Sequence, residues 1–278
     1  MTAQLPVPTW LVGCGNMTGA IVDGWRSAGI DLSSAVIIRP SGAPVQGIRT
    51  VTRFADAGNP PAMVLLGFKP QMLDEVAPDL ARWVTSKTVV VSILAGVEAD
   101  SLRDRFPNAR AIVRAMPNLP VAIRRGVVGL YSPDADESLR GQLGDLFTTL
   151  GFGMWMADEA RLSAVGSVAG AGPAYVARFI AALAKAGEDR GLSAEIAQTI
   201  AQETVLGTAW LASTTRESMG DIARRVASPN GTTEAGLAVL DHDQVLDQLI
   251  GLAIEAAARR GAELAAEARQ LADAPRLP

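Results

Sequence analysis

The chain contains 278 residues, of which 49% are hydrophobic and 19% are charged, and its formal net charge is −4. This length and composition are typical of a globular protein with two modest domains or one large α/β unit. The acidic balance, without any run of basic residues, excludes binding of nucleic acid through a basic face. With one cysteine and one histidine, we expect neither an intrachain disulfide framework nor a metal site.

The sequence also lacks the usual features of membrane and secreted proteins. No apolar run reaches the roughly 18 residues that a bilayer span needs. The segment 1–6 has neither the basic region nor the apolar core of a signal peptide. We therefore expect a cytoplasmic protein that does not bind membranes.

The first predicted strand, Trp10 to Val12, runs into a glycine turn, Gly13-Cys14-Gly15. Helical spacing follows from Met17 to Trp25. A strand, a glycine turn and a helix in this order point backbone N–H groups and a positive helix end at a pyrophosphate. Gly13 would make the tight turn and Gly15 would let the backbone approach the phosphates, so the segment predicts a dinucleotide site.

The end of the second predicted strand, 35–38, indicates which dinucleotide binds. Folds that prefer NAD usually place Asp or Glu about 20 residues past the glycines to bond the ribose hydroxyls. Here the position carries Arg39, with Ser41 and Arg49 nearby. A cation attracts a 2′-phosphate, which favours NADP(H) over NAD(H). The alternative is that Arg39 is a solvated loop charge.

The following elements alternate between apolar strands and amphipathic helices. This alternation favours a parallel sheet covered on both faces, with ligands in a crevice at the carboxyl ends of the strands. Strands are predicted at 62–67, 88–93, 110–114, 126–131 and 153–156, and helices from 70 to about 82 and from 136 to 150. The loops expected to line the crevice are Gly13–Thr18, Arg39–Ser41, Phe68–Gln71, Leu94–Val97 and Met116–Pro120.

From about residue 158 the strand-like runs disappear and alanine-rich helical spacing continues to the end. We therefore predict a dinucleotide-binding domain at 1–157 and an all-α domain at 158–278. Several helices are apolar over wide arcs, which a small helical domain cannot bury alone, so we expect oligomerisation. The predicted helices are 161–189, with a kink at 170–173, then 194–212, 217–225, 232–241 and 244–272.

Six segments carry a family resemblance: Gly13-Cys14-Gly15-Asn16-Met17, Phe68-Lys69-Pro70-Gln71, Ala95-Gly96, 114–120, 170–175 and 228–237. In order and spacing they resemble the delta-1-pyrroline-5-carboxylate reductase family over almost the whole chain. The resemblance implies a Rossmann-type parallel sheet domain followed by an all-α dimerisation domain. It implies NADPH-dependent reduction of the cyclic imine 1-pyrroline-5-carboxylate to L-proline, and homodimers that often assemble into larger rings.

The segment Ser228 to Thr233 precedes a predicted helix and is rich in glycine and hydroxyl groups. Such a helix start offers free N–H groups to a small carboxylate. The alternative is an ordinary cap, with Thr232 or Thr233 as N-cap and Glu234 in the first turn. The resemblance implies the former, with the Thr233 hydroxyl near the ring nitrogen as the catalytic candidate. The implied substrate-binding residues are Ser228, Asn230, Gly231, Thr232 and Thr233.

The resemblance and the loop positions together imply a set of cofactor-binding residues. For Lys69 a solvated position before a helix is an equal alternative. The set is Gly13, Gly15, Asn16, Met17, Thr18, Arg39, Ser41, Phe68, Lys69, Pro70, Ala95, Gly96 and Asn118.

Several residues depart from the family pattern near the implied site. Leu119 stands where the family usually has Thr, Ala169 and Ala171 where it has Ser, and Asn230 where it has Gly. Thr18 adds bulk where the dinucleotide fingerprint prefers Gly or Ala. These departures leave open whether the substrate is another cyclic imine or whether activity is weakened.

Two further interpretations remain. A β-hydroxyacid or ketopantoate-type dehydrogenase shares the domain plan, but it places a catalytic Lys with a nearby Asn on the long helix, and Lys185 has no Asn near it in the sequence. A nucleotide-binding paralogue without catalysis would explain the altered site residues.

Overall fold

The computed structural model describes residues 3–273, with side chains described for all of these except 264 and 267–273. This part of the chain contains eight strands and ten α-helices. It divides into two compact units, one formed by residues up to 171 with the described residues from 257 onward, the other by residues 172–256. The domain boundary at 157/158 stays a prediction.

The first unit is built on one sheet with the strand order β3-β2-β1-β4-β5-β6-β7-β8. The neighbours from β3 to β6 pair in parallel. The strands are β1 Thr9–Val12, β2 Ala35–Ile38, β3 Arg49–Val51, β4 Met63–Leu66, β5 Val89–Ser92, β6 Ala111–Pro117, β7 Gly126–Tyr131 and β8 Gly151–Trp155.

The predicted parallel sheet is present, with one exception at its far end, where β7 pairs antiparallel to β6. The connection between these strands, residues 118–125, is a short 3-10 turn rather than a crossover. Parallel neighbours need a crossover of about a dozen residues or more, so this connection allows only an antiparallel return. The last strand, β8, then pairs in parallel with β7.

Helices cover both faces of this sheet, as the continuous apolar strands predict. Successive strand residues alternate between two cores, with Leu11 in the core under α1 and α4, and Trp10 in the core under α2 and α3. The helices of this unit are α1 Asn16–Ser27, α2 Leu73–Ala81, α3 Ala99–Arg105, α4 Glu137–Thr148 and α5 Glu159–Val165.

Sequence reasoning missed two short elements, β3 and α3. β3 has three residues at the edge of the sheet, and none of them is buried. α3 has seven residues, of which Ala99 and Leu102 are buried. Elements this short carry too few apolar residues to show a period.

The second unit is helical. Its helices α6 and α7 pack through small residues, with Ala184, Ala197 and Ala201 buried between them. A Cβ on Gly187 would lie 3.3 Å from the Cβ of Ala197, so glycine permits this close approach. The helices are α6 Gly172–Glu188, α7 Ala194–Thr215, α8 Met219–Val226, α9 Thr232–Asp241 and α10 Val245–Asp273, of which α10 continues beyond the unit.

The predicted long helix with a kink is present, but its irregular part begins earlier than expected. A π-helical turn occupies Gly166–Gly170, between the end of α5 and the start of α6. Such turns arise where the regular i to i−4 bonding is interrupted, and they occur frequently at functional sites.

The helical stretch Glu159–Glu188 has the length and apolar composition of a membrane span, although only 6% of its most apolar window is buried. The sequence contains no long uninterrupted apolar run, so the span-like composition of this helical stretch was not predicted. A helix buried against another subunit satisfies the same criteria, so length and composition do not distinguish the two.

Candidate active site

The glycine turn after β1 has the geometry of a phosphate site. Gly13 has φ +83°, and a Cβ there would lie 2.8 Å from the carbonyl oxygen of Gly67, so only glycine fits. Gly15 is exposed, with no heavy atom within 4 Å of the position a Cβ would take. It is the N-cap of α1 and provides no side-chain cap, and the first turn contains no acidic residue. The first-turn N–H groups of α1 are therefore available to an anion.

Thr18 is accommodated by a glycine on the facing strand end. Its side chain is buried, and its hydroxyl lies 3.5 Å from the carbonyl oxygen of Gly67. A Cβ on Gly67 would lie only 1.9 Å from that hydroxyl oxygen. The bulk that Thr18 adds is therefore matched by the missing side chain at residue 67.

Three side chains of the predicted cofactor loops point into the protein. Cys14 and Met17 pack against the core under α1, and Phe68 packs against the other core. All three side chains are only partly buried. Burial raises the pKa of the Cys14 thiol, and the nearby Arg39 charge opposes this only in part.

Arg39 lies against the glycine turn. Its Nη1 donates to the carbonyl oxygen of Cys14 at 3.4 Å, and its Nε donates to the Ser41 hydroxyl at 2.8 Å. A guanidinium and a hydroxyl are thus paired beside the turn, as a phosphate site requires. Arg49 is engaged elsewhere, since its Nη2 donates to the carbonyl oxygen of Asp56 at 2.6 Å.

The other predicted loops lie on the opposite side of β1 from Arg39, after β4 and β5. Lys69 is exposed and precedes a 3-10 turn that begins at Pro70. Ala95 is exposed and Gly96 has φ +75°. The strand order changes direction between β1 and β4, which is where open α/β sheets bind dinucleotides.

The side chain of Asn118 bonds to backbone at both ends. Its Nδ2 donates to the carbonyl oxygen of Ala169 at 3.0 Å, and its Oδ1 accepts from the N–H of Val127 at 2.8 Å. Ala169 lies in the π-helical turn, and Pro173, four residues later, has no N–H to offer its carbonyl. Asn118 therefore supplies the donor that the proline lacks, a role signalled in the sequence only by the position of Pro173.

Sequence reasoning also missed the pair Arg114 and Glu159. The Nη1 of Arg114 donates to Oε1 of Glu159 at 2.7 Å, and the Arg114 side chain is 5% exposed. A charged residue inside the apolar strand β6 is the signal that could have revealed it, because buried charges require partners.

The predicted carboxylate site forms the N-terminus of α9. Asn230 has φ +57°, a left-handed conformation that asparagine adopts more readily than most residues other than glycine. Gly231, not Thr232 or Thr233, is the N-cap, and it provides no side-chain cap. One part of the capping alternative is present, since Glu234 accepts the N–H of Asn230 at 2.6 Å. This leaves the first-turn N–H groups of α9 beside two threonine hydroxyls, an arrangement that suits a small carboxylate.

A surface cleft of about 770 Å³ lies away from the glycine turn. It is found at the amino ends of β5 and β6, whereas open α/β sheets bind ligands at the carboxyl ends. Its lining includes Arg82, Thr85 and Arg110. Arg110 is already paired with Asp136, so we assign the cleft no role.

Comparison with known proteins places these features in a family. The family described as pyrroline-5-carboxylate reductase dimerisation matches residues 159–264. The family described as NADP oxidoreductase, coenzyme F420-dependent, matches residues 10–96. Together these matches support a nicotinamide dinucleotide as the cofactor and dimerisation through the helical region.

Individual relatives match between 75% and 94% of the chain. The pyrroline-5-carboxylate reductase of Pseudomonas aeruginosa is 35% identical over 266 residues, covering 93% of this chain and 97% of its own. That of Synechocystis is 40% identical over 212 residues, covering 75% and 77%. The structure of the Coxiella burnetii pyrroline-5-carboxylate reductase is 28% identical and covers 94% and 99% of the two chains, with a TM-score of 0.84. This chain belongs to the pyrroline-5-carboxylate reductase family.

Proposed function

We propose that this protein reduces the cyclic imine 1-pyrroline-5-carboxylate to L-proline with NADPH, as an oxidoreductase acting on the CH–NH group. The observation that carries the proposal is the α9 N-terminus, where Gly231 leaves the first-turn N–H groups uncapped beside Thr232 and Thr233. An uncapped helix start of this kind favours a substrate with a carboxylate. Membership of this family and the dinucleotide turn in the same chain favour a substrate with a reducible C=N bond.

The substrate carboxylate is held by the N–H groups of the α9 first turn and by the hydroxyls of Ser228 and Thr232. The Thr233 hydroxyl faces the ring nitrogen and orients it. NADPH, when bound, supplies the hydride that the imine carbon accepts. An imine that arrives protonated needs no strong acid from the protein, so these residues act by orientation, which can lower a barrier by several kcal/mol, roughly 7–11 at most.

A matched pair of substitutions tests the role of Thr233. Thr233→Ala removes the hydroxyl and is expected to lower kcat/KM for the imine by about tenfold or more, since a hydrogen bond to a charged group contributes about 1.5–3 kcal/mol. Thr233→Ser retains the hydroxyl and is expected to keep most of the activity. NADPH binding, measured by fluorescence titration, should be unchanged in both. Wild-type-like kinetics in Thr233→Ala would remove Thr233 from the site.

The same assay with a substrate panel tests the departures at Leu119, Ala169 and Ala171. We expect pyrroline-5-carboxylate to be the best substrate among cyclic imines and 2-keto acids. A better rate with another imine would assign the protein to that substrate, and a better rate with a keto acid would favour the dehydrogenase alternative. NADPH binding without turnover of any compound would indicate a non-catalytic paralogue.

We infer that NADP(H) is preferred over NAD(H), with Arg39 and Ser41 at the 2′-phosphate. Arg39→Asp is expected to raise KM for NADPH by about tenfold or more and to improve the relative use of NADH, because a carboxylate repels the phosphate and bonds ribose hydroxyls instead. Arg49→Asp is the control, since Arg49 is held by Asp56. An unchanged cofactor preference in Arg39→Asp would refute the inference.

We also infer a homodimer formed through the helical region, and larger rings of dimers as a further step. Several large apolar side chains of this region are exposed in the single chain: Val176, Phe179, Ile196, Ile200, Leu206, Trp210, Leu249 and Leu252. Exposed apolar surface of this kind marks a subunit interface. Sedimentation equilibrium is expected to give at least twice the 29.0 kDa chain mass; a monomer at micromolar concentration would contradict it. A cytoplasmic location remains a prediction.

A further inference from the structure

The pair Arg114 and Glu159 lies beside the loop that follows β5. Arg114 is the parallel partner of Ser92, the last residue of β5. One oxygen of Glu159, Oε1, accepts from Arg114 Nη1 at 2.7 Å and from the backbone N–H of Ala99 at 2.9 Å. Ala99 is the first residue of α3. A single carboxylate oxygen therefore connects α5 and β6 to the start of α3.

Glu159 acts as the cap of α3 from another helix. The N-cap residue of α3, Glu98, makes no side-chain cap hydrogen bond to the helix. The N–H of Ala99 would otherwise lack an acceptor in a partly buried position, which is costly. A carboxylate at a helix N-terminus is also favoured by the helix dipole.

Arg114 holds this carboxylate in place. Its guanidinium is almost fully buried, whereas the Glu159 side chain is 29% exposed. A buried charge left without its partner is strongly unfavourable, so Arg114 restricts Glu159 to the position that it occupies. The ion pair thus gives the cap a defined geometry.

The N-terminus of α3 follows the loop 93–98, which is held to the rest of its unit at three points. Its start is fixed by the N–H of Ile93, which donates to Leu66 at 3.1 Å. Its middle is fixed by the buried side chains of Leu94 and Val97. Its far end is fixed at Ala99 by Glu159.

We propose that Glu159, fixed by Arg114, is a positioning residue that, together with the buried Leu94 and Val97, sets the conformation of Ala95 and Gly96 and through them the nicotinamide half of the cofactor. The inference rests on the proposed function, because it takes the 2′-phosphate end of NADPH to lie at Arg39 beyond β2. With the pyrophosphate at the β1 turn, the nicotinamide half then extends over β4 and β5.

The test compares the whole cofactor with its adenosine half. Glu159→Ala is expected to raise the Kd of NADPH by about fivefold to tenfold, the factor that corresponds to losing one helix-cap hydrogen bond. The Kd of adenosine 2′,5′-bisphosphate, which reaches only the Arg39 side, is expected to change by less than about twofold. Both are measured by isothermal titration calorimetry. Glu159→Gln retains an oxygen for Ala99 and is expected to weaken NADPH binding less than the alanine variant does.

Asp158→Ala is the matched control, because Asp158 caps α5 through the N–H of Arg161 and not α3. It should lower the melting temperature without changing either Kd. The proposal is overturned if both ligands weaken equally in Glu159→Ala, or if Asp158→Ala weakens NADPH binding as much. Glu159→Gln provides the comparison if the alanine variant does not fold. Wild-type protein that fails to bind NADPH would refute the proposed function instead, so the two failures are distinguishable.

Discussion

The contact between Thr18 and Gly67 provides a quantitative test of the packing under the glycine turn. Gly67→Ala would place a Cβ 1.9 Å from the Thr18 hydroxyl oxygen and 3.2 Å from its Cβ. Thr18 is buried on α1, so its side chain has no solvent-facing position to move to. Overpacking of this kind costs about 1–3 kcal/mol. For a chain of this size that corresponds to a melting temperature lower by roughly 2–12 °C.

Replacing Thr18 by alanine removes the hydroxyl that obstructs the new Cβ at residue 67. In Thr18→Ala with Gly67→Ala, the hydroxyl is absent and the nearest facing atom is the Cβ of residue 18, at 3.2 Å. A shift of a few tenths of an ångström relieves this contact, so we expect the double variant to recover more than half of the lost free energy of unfolding. The coupling between the two sites should be about 1–2 kcal/mol, within the range for residues in contact.

Urea denaturation followed by tryptophan fluorescence measures these free energies. The protein concentration must be constant, because association through the helical region adds to apparent stability. Gly19→Ala is the control, since Gly19 lies in α1 with no heavy atom within 4 Å of the position that a Cβ would take, and there alanine should stabilise by about 0.5–1 kcal/mol. If Gly67→Ala is equally destabilising with Thr18 and with alanine at residue 18, the hydroxyl is not the source of the strain and the reasoning fails.

Two further predictions concern the site. Asn118→Asp replaces the donor to Ala169 by an acceptor and is expected to lower the free energy of unfolding by about 1–3 kcal/mol. The loss should be smaller when Pro173 is replaced by alanine, because residue 173 then has an N–H for the Ala169 carbonyl. An equal loss in both backgrounds would refute the argument that Asn118 substitutes for the N–H that Pro173 lacks. Cys14 should react slowly with a thiol reagent at pH 7.5, because its raised pKa keeps it protonated, and faster as the pH rises towards that pKa; reaction at neutral pH as fast as that of free glutathione would contradict this.

Particular residues show how far sequence reasoning reached. The bounds predicted for α9, 232–241, are those observed. The left-handed conformation of Asn230 agrees with the glycine that the family usually has at this position. The antiparallel direction of β7 was not predicted, because the residues of an apolar strand do not indicate in which direction the strand runs. The length of the preceding connection was the available signal.

Other features required the contacts themselves. Thr18 departs from the dinucleotide fingerprint, and its bulk is accommodated by Gly67, which lies 49 residues away in the chain. Asn118 was predicted to bind the cofactor, and in the structure its side-chain Nδ2 and Oδ1 form hydrogen bonds with the backbone of Ala169 and Val127. Each of these residues has a partner distant in sequence, and local propensity contains no information about such partners.

The sequence by itself determined the class of each long element and the family, because periodicity, glycine positions and helix-start chemistry are local properties. Only the tertiary structure decided which side chains of the predicted binding segments are hydrogen-bonded or packed within the protein. It paired Arg114 with Glu159 and Ala99, three residues that no sequence spacing relates. The physical reason is that hydrogen bonds and close contacts depend on distance in space, which the chain sets only when it folds.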